Sequence, residues 1–113
     1  MKPLVDFATF SALDIRVGTI IACRPFERAH KPAYRLSIDF GEQLGTLHTS
    51  AQLTHRYAVG ELKNKKVVAV VNFPEKDIAG FKSQCLVLGA IGEDGDVSLL
   101  AADEPIENGQ IIG

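Results

Sequence analysis

Strict alternation of apolar and polar residues marks residues 34–40 as a half-buried β-strand, with its apolar side chains toward a core and its polar side chains outward. Residues 13–23 begin with the same alternation and predict a long first strand. Gly18 breaks that alternation, as a β-bulge or a sharp bend would. Both segments therefore predict a sheet that covers a core with one face.

Two further segments are apolar without alternation. Residues 67–71 consist of valine and alanine, and residues 85–91 are similarly apolar. Runs of this kind predict strands that are buried on both faces. Shorter strands are expected at 47–49 and 97–100, so the chain is predicted to be mainly β-structure.

Helical signals are confined to two short segments. Asp6 can cap a single helical turn that presents Phe7 and Phe10 on one side. A Thr-x-x-Gln capping box at 49–52 predicts a short helix that extends through Tyr57. The predicted order is therefore three strands, a short helix, two strands and further strands.

This order predicts an all-β barrel, and it matches the arrangement of a five-stranded OB-fold barrel with a short helix between strands 3 and 4 and extra flanking N- and C-terminal elements. The hydrophobic pattern alone is also compatible with an SH3-like barrel. A length of 113 residues leaves room for one domain and one core. We therefore expect residues 1–113 to form a single domain, with residues 1–12 as an N-terminal helical segment.

Composition indicates the cellular setting. No segment is apolar enough to span a membrane, and the N-terminus has no signal-peptide core. A cytoplasmic location without membrane insertion is therefore expected. The two cysteines, Cys23 and Cys85, lie in apolar strand segments and are expected to be free thiols.

No residue pattern indicates catalysis. His30, His48 and His55 lack the spacing of a metal site, and no Cys-x-x-Cys pair is present. Nothing in the sequence pairs Asp14 or Asp39 with a base or a nucleophile. The sequence contains no glycine-rich phosphate loop and no nucleophile elbow. It therefore predicts a binding protein rather than an enzyme, with no metal and no other cofactor.

Charge is distributed unevenly along the chain. Residues 1–66 carry ten Lys or Arg and six Asp or Glu, whereas residues 67–113 carry two Lys and eight Asp or Glu. A polyanion could therefore dock on only part of the surface. In an OB barrel, four basic groups of the first part would surround one mouth and could neutralise phosphates. These groups are Arg28 and Lys31 between the first two strands, Arg35 on the second strand and His48 on the third. A solvated polar face is the alternative interpretation.

Bulky apolar residues occur in the segment 72–83, which a proline and a glycine mark as a loop. Phe73, Ile78 and Phe81 could close the end of the barrel. They could also remain exposed and bind an extended polypeptide. The pattern leaves both interpretations open.

Four short motifs form a specific combination. They are Asp14-Ile15-Arg16-Val17-Gly18, Thr49-Ser50-Ala51-Gln52, Asn72-Phe73-Pro74 and Ile78-Ala79-Gly80-Phe81-Lys82-Ser83. Together they resemble the tRNA-binding domain family, which includes the C-terminal domain of some methionyl-tRNA synthetases. The resemblance extends from about residue 10 to residue 113 and is closest to the stand-alone bacterial branch, the CsaA-type secretion chaperones.

The resemblance implies an OB fold, RNA binding for the wider family, and binding of unfolded or export-bound polypeptides for the CsaA branch. It adds further RNA-binding candidates from the matched motifs, namely Arg16, Ser50, Gln52, Asn72, Lys82 and Ser83. It also implies a homodimer, and the apolar flanking segments supply candidate contacts, namely Phe7, Phe10, Val97, Leu99, Ile111 and Ile112.

Two functional hypotheses follow from the resemblance. The first is a homodimeric chaperone of the CsaA type that binds unfolded or export-bound polypeptide at the barrel mouth. The alternative is a module that binds tRNA or structured RNA. Glu75 and Asp77 stand where the RNA-binding relatives are rich in bases, and they would repel phosphate, which favours the first hypothesis.

Overall fold

The computed structural model describes all 113 residues, and its secondary structure is mostly strand. The helix α1 spans Phe7–Ser11, and a 3₁₀ helix spans Val59–Glu61. The main sheet contains β1 Ile15–Pro25, β2 Tyr34–Asp39, β3 Thr46–Ala51, β4 Lys66–Val70 and β7 Leu86–Val87. Two hairpins pair β5 Lys76–Ile78 with β6 Phe81–Ser83, and β8 Gly89–Ile91 with β9 Val97–Leu99.

The main sheet curls into a nearly closed five-stranded barrel. Its strand order is β3-β2-β1-β4-β7, and every pairing is antiparallel. The segment that follows β6 approaches β3 and narrows the remaining gap, because Gln84 N donates to the His48 carbonyl at 2.8 Å. The predicted five-stranded barrel of the OB type is thus confirmed.

The barrel interior is filled from β2, β4 and their neighbours. Leu36, Ile38 and Phe40 are almost completely buried, and the polar residues between them lie on the outer face, so the alternation predicted for this strand is confirmed. Val67 and Ala69 of β4 are fully buried, and Val68 and Val70 beside them are also buried, as the unbroken apolar run predicts. Burial of these side chains supplies the main stabilising free energy of the fold.

The irregularity in β1 lies elsewhere than predicted. The register of β1 against β2 shifts at Ile21, which is the bulged residue, so a bulge at Gly18 is wrong. Gly18 instead allows a close approach. A Cβ at this position would lie 2.7 Å from Cγ2 of Ile38 and 2.8 Å from the Phe40 ring. A glycine interrupts the hydrophobic alternation here because the Ile38 and Phe40 side chains occupy the space that a larger side chain would need.

The helix predicted from the capping box at 49–52 is also wrong. Thr49 belongs to β3, and its hydroxyl donates to the Cys85 carbonyl at 2.6 Å instead of capping a helix. The short helix between strands 3 and 4 is the 3₁₀ turn Val59–Glu61, which lies later in the chain. The Thr49 hydroxyl, which the local pattern assigns to a helix N-cap, thus forms a long-range hydrogen bond instead.

The segment 72–83 is more ordered than a loop. Residues 76–83 form the β5–β6 hairpin, in which Ala79 and Gly80 occupy the turn with φ values of 51° and 86°. Two residues with positive φ match the tight turn that suits the twist of a hairpin. Asp77 supports the turn, because its carboxylate accepts a hydrogen bond from Gly80 N at 2.9 Å.

The N-terminal helix is capped locally, whereas the C-terminal residues are attached to the barrel. Asp6 caps α1 as predicted, since its carboxylate accepts from Thr9 N at 2.9 Å. The C-terminal residues 109–112 run beside the first part of β1. Val17 N donates to the Gln110 carbonyl at 3.0 Å, and Ile112 N donates to the Ile15 carbonyl at 2.9 Å. The tail therefore continues the sheet where β2 no longer covers β1.

Candidate ligand-binding site

Three elements meet on one side of the barrel and form the region that we call the mouth. They are the β1–β2 loop (residues 26–33), the outer face of β2 and β3, and the β5–β6 hairpin. The Phe26 and Phe81 rings pack edge to face, with centroids 5.4 Å apart, and so join the loop to the hairpin. Arg28 extends to the turn of the hairpin. Its Nη1 atom lies 4.0 Å from the position that a Cβ atom on Gly80 would have.

Arg35 lies over this aromatic pair. Its guanidinium carbon is 5.8 Å from the Phe26 ring centroid and 5.6 Å from the Phe81 ring centroid. Both distances are within the range of cation–π attraction. The side chain is exposed and none of the ion pairs in the chain includes it. The two rings therefore hold a solvent-accessible positive charge in a limited set of positions.

Strand register arranges the outer face of the mouth in two rows. The residues that face one another across β1, β2 and β3 are Arg24, Arg35 and Ser50 in one row, and Ala22, Ser37 and His48 in the next. Because Ala22 and Ser37 are small, a groove of about 270 Å³ forms between Arg24, Arg35, His48 and Phe81. The Ser37 hydroxyl oxygen lies 2.9 Å from Nδ1 of His48 and fixes the orientation of that ring.

An apolar concavity adjoins the groove on the loop side. It has a volume of about 370 Å³, and Phe26 belongs to its wall. Its apolar lining also includes Pro25, Ala29, Pro32, Ala33 and Tyr34, and the polar residues that line it are Glu27, His30 and Thr54. Small ligand sites and peptide sites in proteins share this character, an apolar wall with a few polar groups at the edge. The mouth thus combines an apolar wall with a cationic groove.

A buried hydrogen-bond network lies beneath the hairpin. Thr49 is the only buried polar residue, and its hydroxyl bonds to the Cys85 carbonyl and lies 2.9 Å from Oγ of Ser83. Ser83, one of the RNA-binding candidates, thus holds β6 against β3. Burial raises the pKa of the Cys85 thiol to about 11, so this cysteine is neutral near pH 7. Both cysteines are free thiols, as predicted.

The acidic residues Glu75 and Asp77 accept hydrogen bonds from residues in or next to the hairpin. The hydrogen bond from Gly80 N, aided by the Lys82 ammonium 3.2 Å away, lowers the pKa of Asp77. Glu75 accepts a hydrogen bond from the side-chain amide of Gln84 at 3.2 Å. Lys82, a candidate for binding RNA, is therefore partly neutralised by Asp77, and Asp77 repels phosphate less than its charge alone suggests.

Two of the RNA-binding candidates lie away from the mouth. Arg16 pairs with Asp14 at 2.6 Å and donates to the Gly109 carbonyl at 3.0 Å. Asn72 accepts from Asp14 N and donates to the Ala12 carbonyl. Arg16 is eight positions before Arg24 on β1, which is about 26 Å of extended strand. The structure therefore does not bring these two residues together with the mouth, and they hold the chain ends instead.

The other candidates are near the mouth to different degrees. Arg28, Arg35, His48, Ser50 and Ser83 belong to it directly, as the contacts above establish. Lys31 is exposed in the β1–β2 loop, and Gln52 is exposed just after β3. Of the three polypeptide-binding candidates, Phe81 lines the groove, Ile78 is half-buried in β5, and Phe73 precedes the hairpin and is 46% exposed.

The candidate dimer contacts fall into two groups. Phe7 and Ile111 are 79% and 67% exposed, and Phe10 is exposed beside Phe7 with ring centroids 6.2 Å apart. Val97 and Leu99 of β9 pack partly against the barrel core, and Ile112 packs against a second small core beneath β1 and β4. Only the first group therefore offers a largely uncovered apolar surface.

Sequence reasoning missed two residues of the mouth, Arg24 and Phe26. The bulge at Ile21 shifts the alternation of β1, so the outward direction of Arg24 is hidden unless the bulge is placed correctly. Phe26 is buried although it follows a proline at the start of a predicted loop. Its position close to Arg28, His30 and Lys31 in the sequence is the one signal that could have indicated an aromatic group at the site.

No group of three or more His, Cys, Asp or Glu side chains is arranged to hold a metal ion. None of the helices has both the length and the apolar character that crossing a membrane would require.

Sequence comparison finds relatives among methionine–tRNA ligases. The enzyme of Pyrococcus horikoshii is 38% identical over 106 residues, which is 93% of this chain and 14% of the enzyme. The enzyme of Protochlamydia amoebophila is 35% identical over 104 residues, which is 92% of this chain and 14% of the enzyme. The chain therefore spans about one seventh of the length of these relatives.

Structure comparison finds proteins of the same size. The CsaA chaperone protein of Picrophilus torridus is 50% identical with a TM-score of 0.91, covering 97% of this chain and all of that protein. The chaperone CsaA of Bacillus anthracis is 47% identical with a TM-score of 0.93, covering 98% of this chain and all of that protein. A MetRS-related protein of Pyrococcus horikoshii is 27% identical with a TM-score of 0.87.

The match to a family confirms the resemblance seen in the motifs. The family described as "Putative tRNA binding domain" matches residues 15–111. This range includes all nine strands, and α1 precedes it. The mouth, the barrel and the tail beside β1 as far as residue 111 lie within the matched part. On this evidence of sequence and fold together, the chain belongs to the tRNA-binding domain family.

Proposed function

We propose that this chain is a single-domain, homodimeric chaperone of the CsaA type, which binds unfolded or export-bound polypeptide segments in the cytoplasm without catalysing a reaction. The observation that carries the proposal is the apolar concavity at the mouth, whose Phe26 wall packs against Phe81 of the groove. The 47–50% identity to chaperones that match the chain over nearly its full length supports it.

The chemistry of the mouth suits an extended polypeptide. Apolar side chains of such a segment would bury against the partly exposed Phe81 ring and the apolar part of the concavity lining, and so leave water. The cationic groups beside the rings would bind backbone carbonyls or acidic side chains of the same segment. Binding by a few aromatic anchors, with polar groups around them, is the usual distribution of binding free energy at protein interfaces.

The proposal predicts that Phe81→Ala weakens polypeptide binding by roughly fivefold or more, because it removes an aromatic anchor from the groove. The measurement is fluorescence anisotropy with a labelled, reduced and carboxymethylated protein that stays unfolded. Ile91→Ala is the matched control, since Ile91 is 77% exposed on β8 and does not line the mouth. Equal affinities for both variants and the unchanged protein would place polypeptide binding elsewhere.

Dimer formation is part of the proposal. The helix α1 buries none of its residues within the chain, and Phe7 and Ile111 leave large apolar areas exposed. Surfaces of this kind are commonly covered by a partner. We expect sedimentation velocity at micromolar concentration to give a dimer, and Phe7→Ser to shift it toward monomer. Val59→Ser is the control that should not, because Val59 is exposed on the 3₁₀ helix and is not among the candidate dimer contacts. A monomeric unchanged protein would contradict this part of the proposal.

RNA binding is a second candidate function, and one observation favours it. Arg24, Arg28 and Arg35 are exposed at the mouth, and no hydrogen bond or ion pair within the chain engages their guanidinium groups. Uncompensated cations on one face are the electrostatic requirement for binding a polyanion. The membership in the tRNA-binding domain family supports the same candidate.

A further inference from the structure

Two arginines of the mouth oppose each other directly. In the antiparallel pairing of β1 with β2, Arg24 is the partner of Arg35. Directly opposed residues have Cα atoms roughly 4.5–5.5 Å apart, and like charges in this position destabilise a sheet. Neither arginine belongs to an ion pair, so no carboxylate within the chain offsets their repulsion. A bound anion would offset it.

The space between these arginines is built to admit a ligand. The next row of the sheet carries Ala22 opposite Ser37, and these small side chains form the floor of the groove. His48 bounds the groove on the β3 side. When the Ser37 hydroxyl donates to Nδ1 of His48 across their 2.9 Å separation, Nε2 carries the proton and can donate to a ligand.

Arg35 is positioned before any ligand binds. The Phe26 and Phe81 rings, 5.8 and 5.6 Å from its guanidinium carbon, limit the positions that the side chain can adopt. A restricted guanidinium loses less conformational entropy when it binds an anion. The planar guanidinium is also the side-chain group whose geometry matches two oxygens of a phosphate.

We propose that Arg24 and Arg35 together bind one phosphodiester group of an RNA strand, which lies in the groove above Ala22 and Ser37. A phosphodiester fits the observations better than a carboxylate of a polypeptide. Both groups can offer oxygens to the two arginines, but an RNA strand also supplies a base next to the phosphate, and this base can stack on the exposed part of the Phe81 ring. This inference rests on the second candidate function, the binding of RNA.

The test measures the binding of fluorescently labelled bulk tRNA at several salt concentrations. Arg24→Gln and Arg35→Gln should each lower the affinity about tenfold at low salt, and each should reduce the salt slope by about 0.7–0.9, the value for one phosphate contact. Because both arginines bind the same phosphate, the double variant should lose little more than the larger single loss. Lys63→Gln, which removes the same charge from an exposed site outside the groove, is the matched control.

A second readout separates binding from folding. Arg24→Gln removes the repulsion with Arg35, so its urea midpoint should equal or exceed that of the unchanged protein while its RNA affinity falls. A lower midpoint would indicate that Arg24 acts in folding and would overturn the assignment.

The remaining outcomes separate a failure of RNA binding from a failure of the arginine pair. If the unchanged protein does not bind tRNA, the second candidate function fails, and the inference fails with it. If it binds tRNA but the Arg24 and Arg35 variants behave like Lys63→Gln, RNA binding stands and the arginine pair is overturned. Additive losses in the double variant would indicate two separate phosphates and would also overturn the shared site. Displacement of the tRNA by polyglutamate at equal charge concentration would identify a general anion site and contradict a phosphodiester site.

Discussion

Replacing Phe40 by alanine should lower the free energy of unfolding by about 3–5 kcal/mol, the usual cost of deleting a buried aromatic ring. The side chain is 1% exposed and belongs to the main core cluster, where Ile38 and the backbone at Gly18 surround it. Little space is available for neighbours to collapse into the cavity, because the surrounding groups are strands of a nearly closed barrel. Since small domains are stable by only about 5–15 kcal/mol, this variant should be partly unfolded under mild conditions.

Urea denaturation followed by circular dichroism measures this loss. Phe73→Ala is the matched control, because it makes the same substitution at a residue that is 46% exposed. We expect the control to change the free energy of unfolding by less than about 1 kcal/mol. Equal losses for the two variants would mean that Phe40 does not lie in the core of the folded chain.

Replacing Thr49 by valine should cost about 1–3 kcal/mol, although the shape of the side chain hardly changes. The substitution removes the hydroxyl that donates to the Cys85 carbonyl at 2.6 Å and contacts Oγ of Ser83 at 2.9 Å. A buried carbonyl without its donor loses its hydrogen bond without regaining water. Because this network joins β3 to the end of β6, the variant should also weaken polypeptide binding at the mouth.

The control for this prediction is Thr46→Val, which makes the same change at an exposed position of the same strand. Urea midpoints and the anisotropy assay described above are measured for both variants. A loss of stability in Thr49→Val with unchanged polypeptide affinity would separate the network from the mouth. No difference between the two threonine variants would show that the buried hydrogen bonds contribute little.

The strands of the barrel could be predicted from the sequence where side-chain burial alone decides the pattern. In β2 every second residue contacts the core, so the alternation of apolar and polar residues follows directly from the pleat. In β4 all but the first residue are buried, and an unbroken apolar run reports this equally well. The N-cap at Asp6 could be predicted for a similar reason, since the group that it binds is three residues away.

Features that depend on distant residues could not be predicted in this way. Thr49 fits a local capping pattern, but its partner is Cys85, 36 positions along the chain. The bulge at Ile21 has no local signal, and it decides which face Arg24 occupies. The motif residues Arg16 and Asn72 were matched by type and spacing, but their bonds go to the chain ends. Family motifs therefore predicted the barrel better than they predicted which residues share its mouth.

The most direct test of the central claim, that the mouth is where polypeptide binds, is a backbone amide NMR titration of the intact protein. The titrant is the reduced, carboxymethylated unfolded protein used in the anisotropy assay. We predict that the largest chemical-shift changes occur at Phe26, Arg35, His48 and Phe81, and that the amides of residues 14–16 and 72 change little. Changes centred on α1 or on the C-terminal tail, with the mouth unaffected, would contradict this account.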